Sequence, residues 1–214
     1  MNQLRITEIF YSLQGEARTV GKPTVFVRLT GCPLRCQYCD TAYAFNGGLM
    51  RDIEGIVDEV ASYKPRYITV TGGEPLAQPN CLTLLSRLSD LKAEVSLETS
   101  GALDIGAVDE RINIVMDIKT PGSGEVDRND YANIQKLKSS DQIKFVICSR
   151  QDYDWARLKI DELNLADRFD EVLLSPSQTE LKARTLADWM LEDHLHARLQ
   201  VQLHKILWDD AAGR

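Results

Sequence analysis

Short apolar segments rich in β-branched residues recur along this chain, and helical patterns separate most of them. The predicted strands cover residues 4–10, 25–30, 67–71, 94–98, 112–117, 142–147, 171–174 and 198–203. Apolar residues at helical spacing predict helices over residues 52–63, 79–90, 151–163 and 183–195. A strand, helix, strand alternation favours right-handed crossovers, and hence an α/β fold with a parallel sheet.

The length of the chain limits how far such a sheet can close. A complete eight-unit barrel takes about 250 residues, and this chain has 214. The connection 99–111 is also too thin to carry a full crossover helix. We therefore expect one domain over residues 1–214, built as an incomplete, open TIM-like barrel of parallel strands with outer helices. Its chemistry should lie beyond the carboxyl ends of the strands.

Charge and cysteine content narrow the function classes. The net charge of −7 argues against a nucleic-acid partner, which requires a basic face. No apolar run approaches the roughly 20 residues of a membrane helix, and the charged N-terminus does not resemble a signal peptide. Five cysteines, three of them within eight positions, favour a reducing compartment and a metal site over a disulfide framework. These features predict a cytoplasmic location.

The three clustered cysteines follow the strand over 25–30. Cys32, Cys36 and Cys39 have the spacing C-x3-C-x2-C, and thiolates are the usual ligands of iron–sulfur clusters. Three ligands leave one iron of a cubic 4Fe–4S cluster open to chelate a small molecule. A structural zinc site or a redox disulfide is the alternative, although zinc usually takes four protein ligands. We expect Cys81 and Cys148 to be buried small hydrophobic side chains.

The cysteine loop resembles the radical S-adenosylmethionine (radical SAM) superfamily, whose signature is C-x3-C-x-aromatic-C, with Tyr38 at the aromatic position. The resemblance implies a radical SAM core and reductive cleavage of S-adenosylmethionine to a 5′-deoxyadenosyl radical. Further motifs follow later strands: TGGEP at 71–75, ETSG at 98–101, DIKTPGSG from 117 and SPSQ at 175–178. The implied cofactor contacts are Tyr38, Gly72, Gly73, Glu74, Glu98, Ser100, Asp117, Lys119, Ser175 and Gln178.

Further motifs narrow the resemblance within that superfamily. The segments SLQGEA at 12–17 and FVRLTGC at 26–32, the pair Asp40-Thr41, and LHK at 203–205 resemble 7-carboxy-7-deazaguanine synthases. That family converts 6-carboxy-5,6,7,8-tetrahydropterin to 7-carboxy-7-deazaguanine with loss of ammonia, assisted by Mg²⁺, on the route to queuosine. The resemblance implies that Thr41 binds Mg²⁺. The implied pterin contacts are Leu13, Gln14, Gly15, Glu16, Arg28 and Thr71.

The resemblance also implies a layout, partners and some departures. Residues 1–23 would form a substrate-contacting extension. Residues 204–214 form a tail that departs from members ending shortly after the His-Lys pair, and we expect it to cover the site. An electron donor such as flavodoxin is implied, and a homodimer is the default assembly. Ala17 stands where the family commonly has glycine. Two other functions stay open: a radical activating enzyme that acts on a partner protein, and a non-enzymatic zinc or iron–sulfur binding module.

Overall fold

The computed structural model describes residues 2–209, 211 and 213, and a nine-stranded sheet runs through them. The strands are β1 Gln3–Leu13, β2 Pro23–Leu29, β3 Leu49–Asp52, β4 Tyr67–Gly72, β5 Glu94–Thr99, β6 Asn113–Ile118, β7 Gln142–Ile147, β8 Glu171–Pro176 and β9 Arg198–Leu199. The helices are α1 Ile53–Ser62, α2 Cys81–Ser89, α3 Arg150–Glu162, α4 Leu165–Arg168, α5 Ala183–Glu192 and α6 Leu203–Trp208.

The strand order is β3-β1-β2-β4-β5-β6-β7-β8-β9. Every neighbouring pair from β2 to β9 is parallel, and β3 and β9 form the two edges of the sheet. The predicted α/β fold with an unclosed parallel sheet is therefore confirmed. None of the helices in the described part of the chain has the length and apolar character that a bilayer crossing demands.

Some predicted elements were wrong or incomplete. β1 pairs antiparallel with both β2 and β3, and the connection 14–22 from β1 to β2 contains no crossover helix. The predicted strand over 198–203 ends at Leu199, and Leu203 begins α6. β3, α4 and α6 had no prediction, while α1, α2, α3 and α5 confirm the four predicted helices. The thin connection 99–111 holds no helix, as its composition indicated.

Helix α1 shows how local sequence and packing combine. The Asp52 side chain accepts a hydrogen bond from the Glu54 amide and caps the helix start. Ile56 and Val60, one helical turn apart, are both fully buried. They belong to the continuous core that the helices form with one face of the sheet. Burial of such an apolar stripe, more than intrinsic propensity, stabilises a ten-residue helix.

The opposite face of the sheet is polar, because side chains alternate along each strand. In β2, Val25 and Val27 are fully buried in the core, and Arg28 lies on the other face. Arg28 pairs with Glu8 of β1 and with Thr71 of β4 in the sheet register. Further along, Asp117 of β6 pairs with Lys144 of β7. The predicted site residues on these strands therefore share one face of the sheet.

Candidate active site

The cysteine loop leaves the carboxyl end of β2 and is fixed there by backbone hydrogen bonds. The Gly31 amide donates to the Ala44 carbonyl over 2.8 Å, and the Glu74 amide donates to the Gly31 carbonyl over 2.8 Å. A Cβ on Gly73 would lie 2.2 Å from the Gly31 oxygen, and one on Gly72 would lie 2.2 Å from the Leu29 oxygen. The two glycines of TGGEP therefore permit the close approach of β4 to the cysteine loop.

The three loop cysteines are partly buried and unpaired by disulfides. Burial raises the pKa of Cys32 and Cys39, and that of Cys36 to about 11. Metal binding would therefore release protons from the thiols. Among the described residues, no three Cys, His, Asp or Glu side chains are arranged to hold a single metal ion. Three thiols at one strand end fit a cluster that leaves one iron without a protein ligand.

The TGGEP and ETSG motifs form one hydrogen-bonded unit. Glu74 is fully buried, and its carboxylate accepts bonds from the Thr99 hydroxyl at 2.9 Å and the Ser100 hydroxyl at 2.6 Å. The backbone amides of Ser100 and Leu76 also donate to it, over 2.7 and 3.0 Å. Such a filled set of donors stabilises a buried carboxylate. Its predicted contact with a cofactor ammonium stays a prediction.

Two buried polar atoms near the cysteine loop lack a partner in the described structure. They are the Tyr38 hydroxyl and one carboxylate oxygen of Asp117. Lys119 lies 3.1 Å from the other Asp117 oxygen and 5.9 Å from the Tyr38 ring centroid. Burial alone would lower the pKa of Lys119, but the Asp117 carboxylate raises it. Orphaned buried polar atoms call for a ligand, and these fit a polar cofactor such as S-adenosylmethionine.

The two remaining predicted cofactor residues lie in and after β8, which is next to the β9 edge of the sheet. Ser175 is buried in β8, while Gln178 follows in the next loop and is exposed. Cys81 lies in the core as predicted, whereas Cys148, at the end of β7, is only partly buried.

A second polar cluster lies on the polar face beside these motifs. The Gln14 amide nitrogen donates to the Thr69 hydroxyl at 3.0 Å and to Glu98 at 3.4 Å. The Thr71 hydroxyl donates to the other Glu98 oxygen at 2.9 Å. Burial, together with nearby Glu16, raises the pKa of Glu98. Glu98 was predicted to contact the cofactor, but its bonds join it to Gln14 and Thr71, which were predicted to contact the pterin.

Glu16 is held by three side chains that the sequence analysis did not single out. Lys144 forms an ion pair with one Glu16 oxygen, and Gln200 donates to that oxygen at 3.1 Å. Gln202 donates to the other oxygen at 2.6 Å. Burial would raise the pKa of Glu16, but the Lys144 ammonium keeps it below the usual value. A charged residue inside the apolar strand QIKFVI was the one signal for Lys144; the glutamines gave none.

The C-terminal segment packs against the turn that carries Glu16. The Leu203 amide donates to the Gly15 carbonyl at 3.0 Å, and a Cβ on Gly15 would lie 2.0 Å from His204 Nδ1. Gly15 is therefore needed for His204 to approach. Asp210, Ala212 and Arg214 of the predicted tail lie outside the described residues. Leu13 ends β1 and pairs with Pro23.

Arg28, which was predicted to pair with a substrate oxygen, has an acidic neighbour. Its Nε lies 2.7 Å from a Glu8 oxygen, and the Tyr43 hydroxyl donates to the same oxygen at 2.8 Å. Arg28 therefore forms a salt bridge within the protein, and this contact engages only one edge of its guanidinium. Its contact with substrate stays a prediction.

Thr41, the predicted Mg²⁺ ligand, donates from its hydroxyl to Asp40 at 2.8 Å. The other Asp40 oxygen lies 3.1 Å from Lys205 and accepts from Gln202 at 3.3 Å. Burial would raise the pKa of Asp40, but the Lys205 ammonium and the Thr41 hydroxyl lower it to about 2. Two oxygen groups of the kind that Mg²⁺ prefers therefore lie together directly after the last loop cysteine.

Comparison with known proteins agrees with this geometry. The sequence model of the Radical SAM superfamily matches residues 26–121, a stretch that includes the cysteine loop, TGGEP, ETSG and Lys119. Fold and site together define a radical SAM enzyme. The crystal structure of QueE from Escherichia coli superposes with a TM-score of 0.76, covering 95% of this chain and 96% of that one. At 22% identity, that likeness establishes the shared fold.

Two curated relatives are much closer in sequence. The 7-carboxy-7-deazaguanine synthase of Chlorobaculum tepidum is 41% identical, over 98% of this chain and 97% of the relative. That of Koribacter versatilis is 38% identical, over 96% and 97%. The chain belongs to the 7-carboxy-7-deazaguanine synthase family. As a radical SAM lyase, it takes a 4Fe–4S cluster and S-adenosylmethionine as cofactors and acts on a small-molecule substrate.

Proposed function

We propose that this chain converts 6-carboxy-5,6,7,8-tetrahydropterin to 7-carboxy-7-deazaguanine, by ring contraction with loss of ammonia, on the route to queuosine. The observation that carries the proposal is the polar cluster of Gln14, Glu16 and Glu98. Two carboxyl groups and an amide within a partly buried cluster suit the guanidine-like edge of a pterin, which presents hydrogen-bonding nitrogens. Full-length similarity to named synthases supports the same substrate class.

The residues divide into two groups of roles. Cys32, Cys36 and Cys39 would hold the cluster, which when bound supplies the electron for reductive cleavage of S-adenosylmethionine. Glu16, kept ionised by Lys144, accepts from the pterin nitrogens. The raised pKa of Glu98 favours its neutral form, which both donates and accepts. A neutral and an ionised carboxyl group side by side discriminate between donor and acceptor positions on the ring.

The remaining pterin contacts complete the pocket. Thr71 and Gln14 fix the Glu98 carboxyl from two sides, and Gly15 lets His204 close over the turn. We further propose that Arg28 pairs with the pterin carboxylate, because its planar fork matches that group. In this arrangement the substrate is held at both ends, which orients it for hydrogen abstraction and excludes water.

We propose Mg²⁺ as an additional cofactor, bound by the Thr41 hydroxyl together with a substrate oxygen. The contact of Thr41 with Asp40 supports this, because an acidic neighbour raises the local affinity for a cation. An electron donor such as flavodoxin, a homodimeric assembly and a cytoplasmic location also stay predictions. The alternatives of a protein-activating enzyme and a non-enzymatic module are not favoured by the full-length relatives.

The decisive experiment is anaerobic turnover of the reconstituted enzyme with carboxytetrahydropterin, S-adenosylmethionine and a reductant, followed by mass spectrometry. We expect 7-carboxy-7-deazaguanine to form only when all components are present. Cys148→Ala is the matched control for Cys36→Ala, because it removes a cysteine outside the loop. Formation of 5′-deoxyadenosine without any new pterin-derived product would show that the substrate assignment is wrong while the radical SAM chemistry is correct.

A further inference from the structure

The guanidinium of Arg28 is held along one edge only. Its Nε lies 2.7 Å from a Glu8 oxygen, and the Tyr43 hydroxyl donates to the same oxygen at 2.8 Å. Among the described residues, no acceptor bonds to the terminal nitrogens Nη1 and Nη2 of Arg28. The Arg28 side chain is nevertheless only 16% exposed. Two partly buried donors thus have no acceptor in the described protein.

Two aromatic rings lie close to the same guanidinium. Its Cζ lies 5.8 Å from the ring centroid of Phe10 and 5.8 Å from that of Tyr43. Phe10 itself is stacked on Phe26 at 4.9 Å, with the rings 9° from parallel. The cation–π contacts and the Glu8 bond together restrict the freedom of the Arg28 side chain.

That edge belongs to the polar face on which the substrate cluster lies. Arg28 is paired in register with Thr71, and Thr71 donates to Glu98. A pair of parallel N–H donors on this face would match a carboxylate in bidentate geometry.

We propose that Glu8 and Tyr43 are positioning residues that make the enzyme selective for a pterin carrying a carboxylate at carbon 6. Glu8 accepts a hydrogen bond from Nε of Arg28, and this bond keeps the terminal nitrogens from turning toward the nearest carboxylate. Tyr43 donates to the same Glu8 oxygen, and its ring covers the guanidinium. The proposal rests on the proposed function, in which Arg28 binds the substrate carboxylate.

Burial distinguishes the Arg28–Glu8 pair from exposed ion pairs of this chain. Arg87 of α2 engages Glu54 of α1 through Nη2 at 2.7 Å, and Arg150 engages Asp154 through Nε at 3.0 Å, both on the surface. The Arg28 and Glu8 side chains are only 16% and 23% exposed, and their contact at Nε leaves the terminal donors of Arg28 available to a ligand. Placing an acid beside an anion-binding group weakens the attraction for an anion, so the arrangement makes sense only if it orients the donors.

The test uses the reconstituted enzyme with S-adenosylmethionine bound, and two fluorescent probes, 6-carboxypterin and 6-methylpterin. The readout is the ratio of their dissociation constants, which is independent of turnover. We expect wild type to prefer the carboxylated probe by about tenfold or more, since a charge-assisted bidentate pair is involved. Glu8→Ala should lower this ratio by about tenfold and Tyr43→Phe by about threefold. Glu8→Gln should restore most of it, because its amide oxygen still accepts from Nε.

The variants separate the inference from the function on which it rests. Wild-type selectivity in Arg28→Ala would show that Arg28 does not bind the carboxylate, whatever Glu8 does. Loss in Arg28→Ala with full selectivity in Glu8→Ala and Tyr43→Phe would overturn the positioning role alone. Equal loss in Glu8→Gln and Glu8→Ala would also overturn it, because a retained hydrogen-bond acceptor for Nε would then make no difference. Glu54→Ala is the matched control and should leave the ratio of dissociation constants unchanged. If Glu8→Ala loses its iron–sulfur cluster, the ratio measured for Tyr43→Phe tests the positioning role instead.

Discussion

Lys144→Met is the substitution for which the structure gives the clearest expected magnitude. The Lys144 and Glu16 side chains are 15% and 13% exposed and form an ion pair. Removing one partner of a buried pair destabilises a protein by about 3–5 kcal/mol, because the other charge is left uncompensated. Glu16 would keep its bonds from Gln200 and Gln202, so we expect the lower value, about 3 kcal/mol. For a chain of this size that lowers the unfolding temperature by about 6–12 °C.

The loss should depend on pH in a defined direction. Folding lowers the pKa of Glu16, so its contribution to stability is present above the unfolded pKa and is lost as pH falls. Folding raises the pKa of Lys144, so its contribution is present below the unfolded pKa and is lost at high pH. In Lys144→Met, burial beside Glu98 would instead raise the pKa of Glu16. The difference from wild type should therefore shrink as pH falls and Glu16 takes up a proton.

Thermal unfolding at matched cluster content, at several pH values, measures these effects. The double variant Glu16→Gln/Lys144→Met is the control, because it removes both charges and should recover much of the stability. A loss below about 1 kcal/mol for the single variant, unchanged by pH, would refute the account of a buried charged pair. A double variant no more stable than Lys144→Met would refute it as well.

Three further outcomes are expected. Cys36→Ala should abolish iron binding and the visible absorbance of the reconstituted enzyme, whereas Cys148→Ala should leave both intact. Thr41→Ala should weaken the Mg²⁺ dependence of turnover while cluster content stays normal; identical Mg²⁺ titrations for variant and wild type would remove Thr41 from the metal site. Gly73→Ala should lower cluster retention, because its Cβ would lie 2.2 Å from the Gly31 oxygen, and a normal iron-to-protein ratio would show that the loop relaxes easily.

The sequence predicted the site best where candidate functional residues follow the carboxyl ends of strands. Carboxyl ends of neighbouring parallel strands meet at one edge of a sheet, so motifs after β2, β4 and β5 were expected to lie together. The bonds from Glu74 to Gly31, Thr99 and Ser100 show this meeting directly. Alternation along β2 likewise indicated that Arg28 lies on the face away from Val25 and Val27, because side-chain period is a local property.

The same patterns could not predict strand direction or which strands form the edges of the sheet. Alternation with a period of two identifies a strand, but it does not show whether the neighbouring strand runs parallel or antiparallel. β1 is joined to β2 by residues 14–22 without a crossover helix, and β3 is only four residues long, too short for its alternation to be recognised. Helix α6 is only six residues long and buries none of them, so its apolar residues span too short a stretch for a helical period to be recognised.

The position of Glu16 is set by residues far away in the chain, and for that reason local sequence could not reveal its environment. Ala17 adopts a φ of 60°, a left-handed conformation that favours glycine, which accounts for the family's common glycine at this position. In this chain, Gln200 accepts from the Ala17 amide at 2.6 Å and Arg198 donates to its carbonyl at 2.8 Å. These contacts offset the conformational strain of alanine, about 1 kcal/mol or more. Gln200 and Gln202 are two residues apart and both donate to Glu16. Two glutamines at this spacing form no recognisable sequence pattern. The contact between the Glu16 turn and the C-terminal segment is therefore visible only in the folded structure.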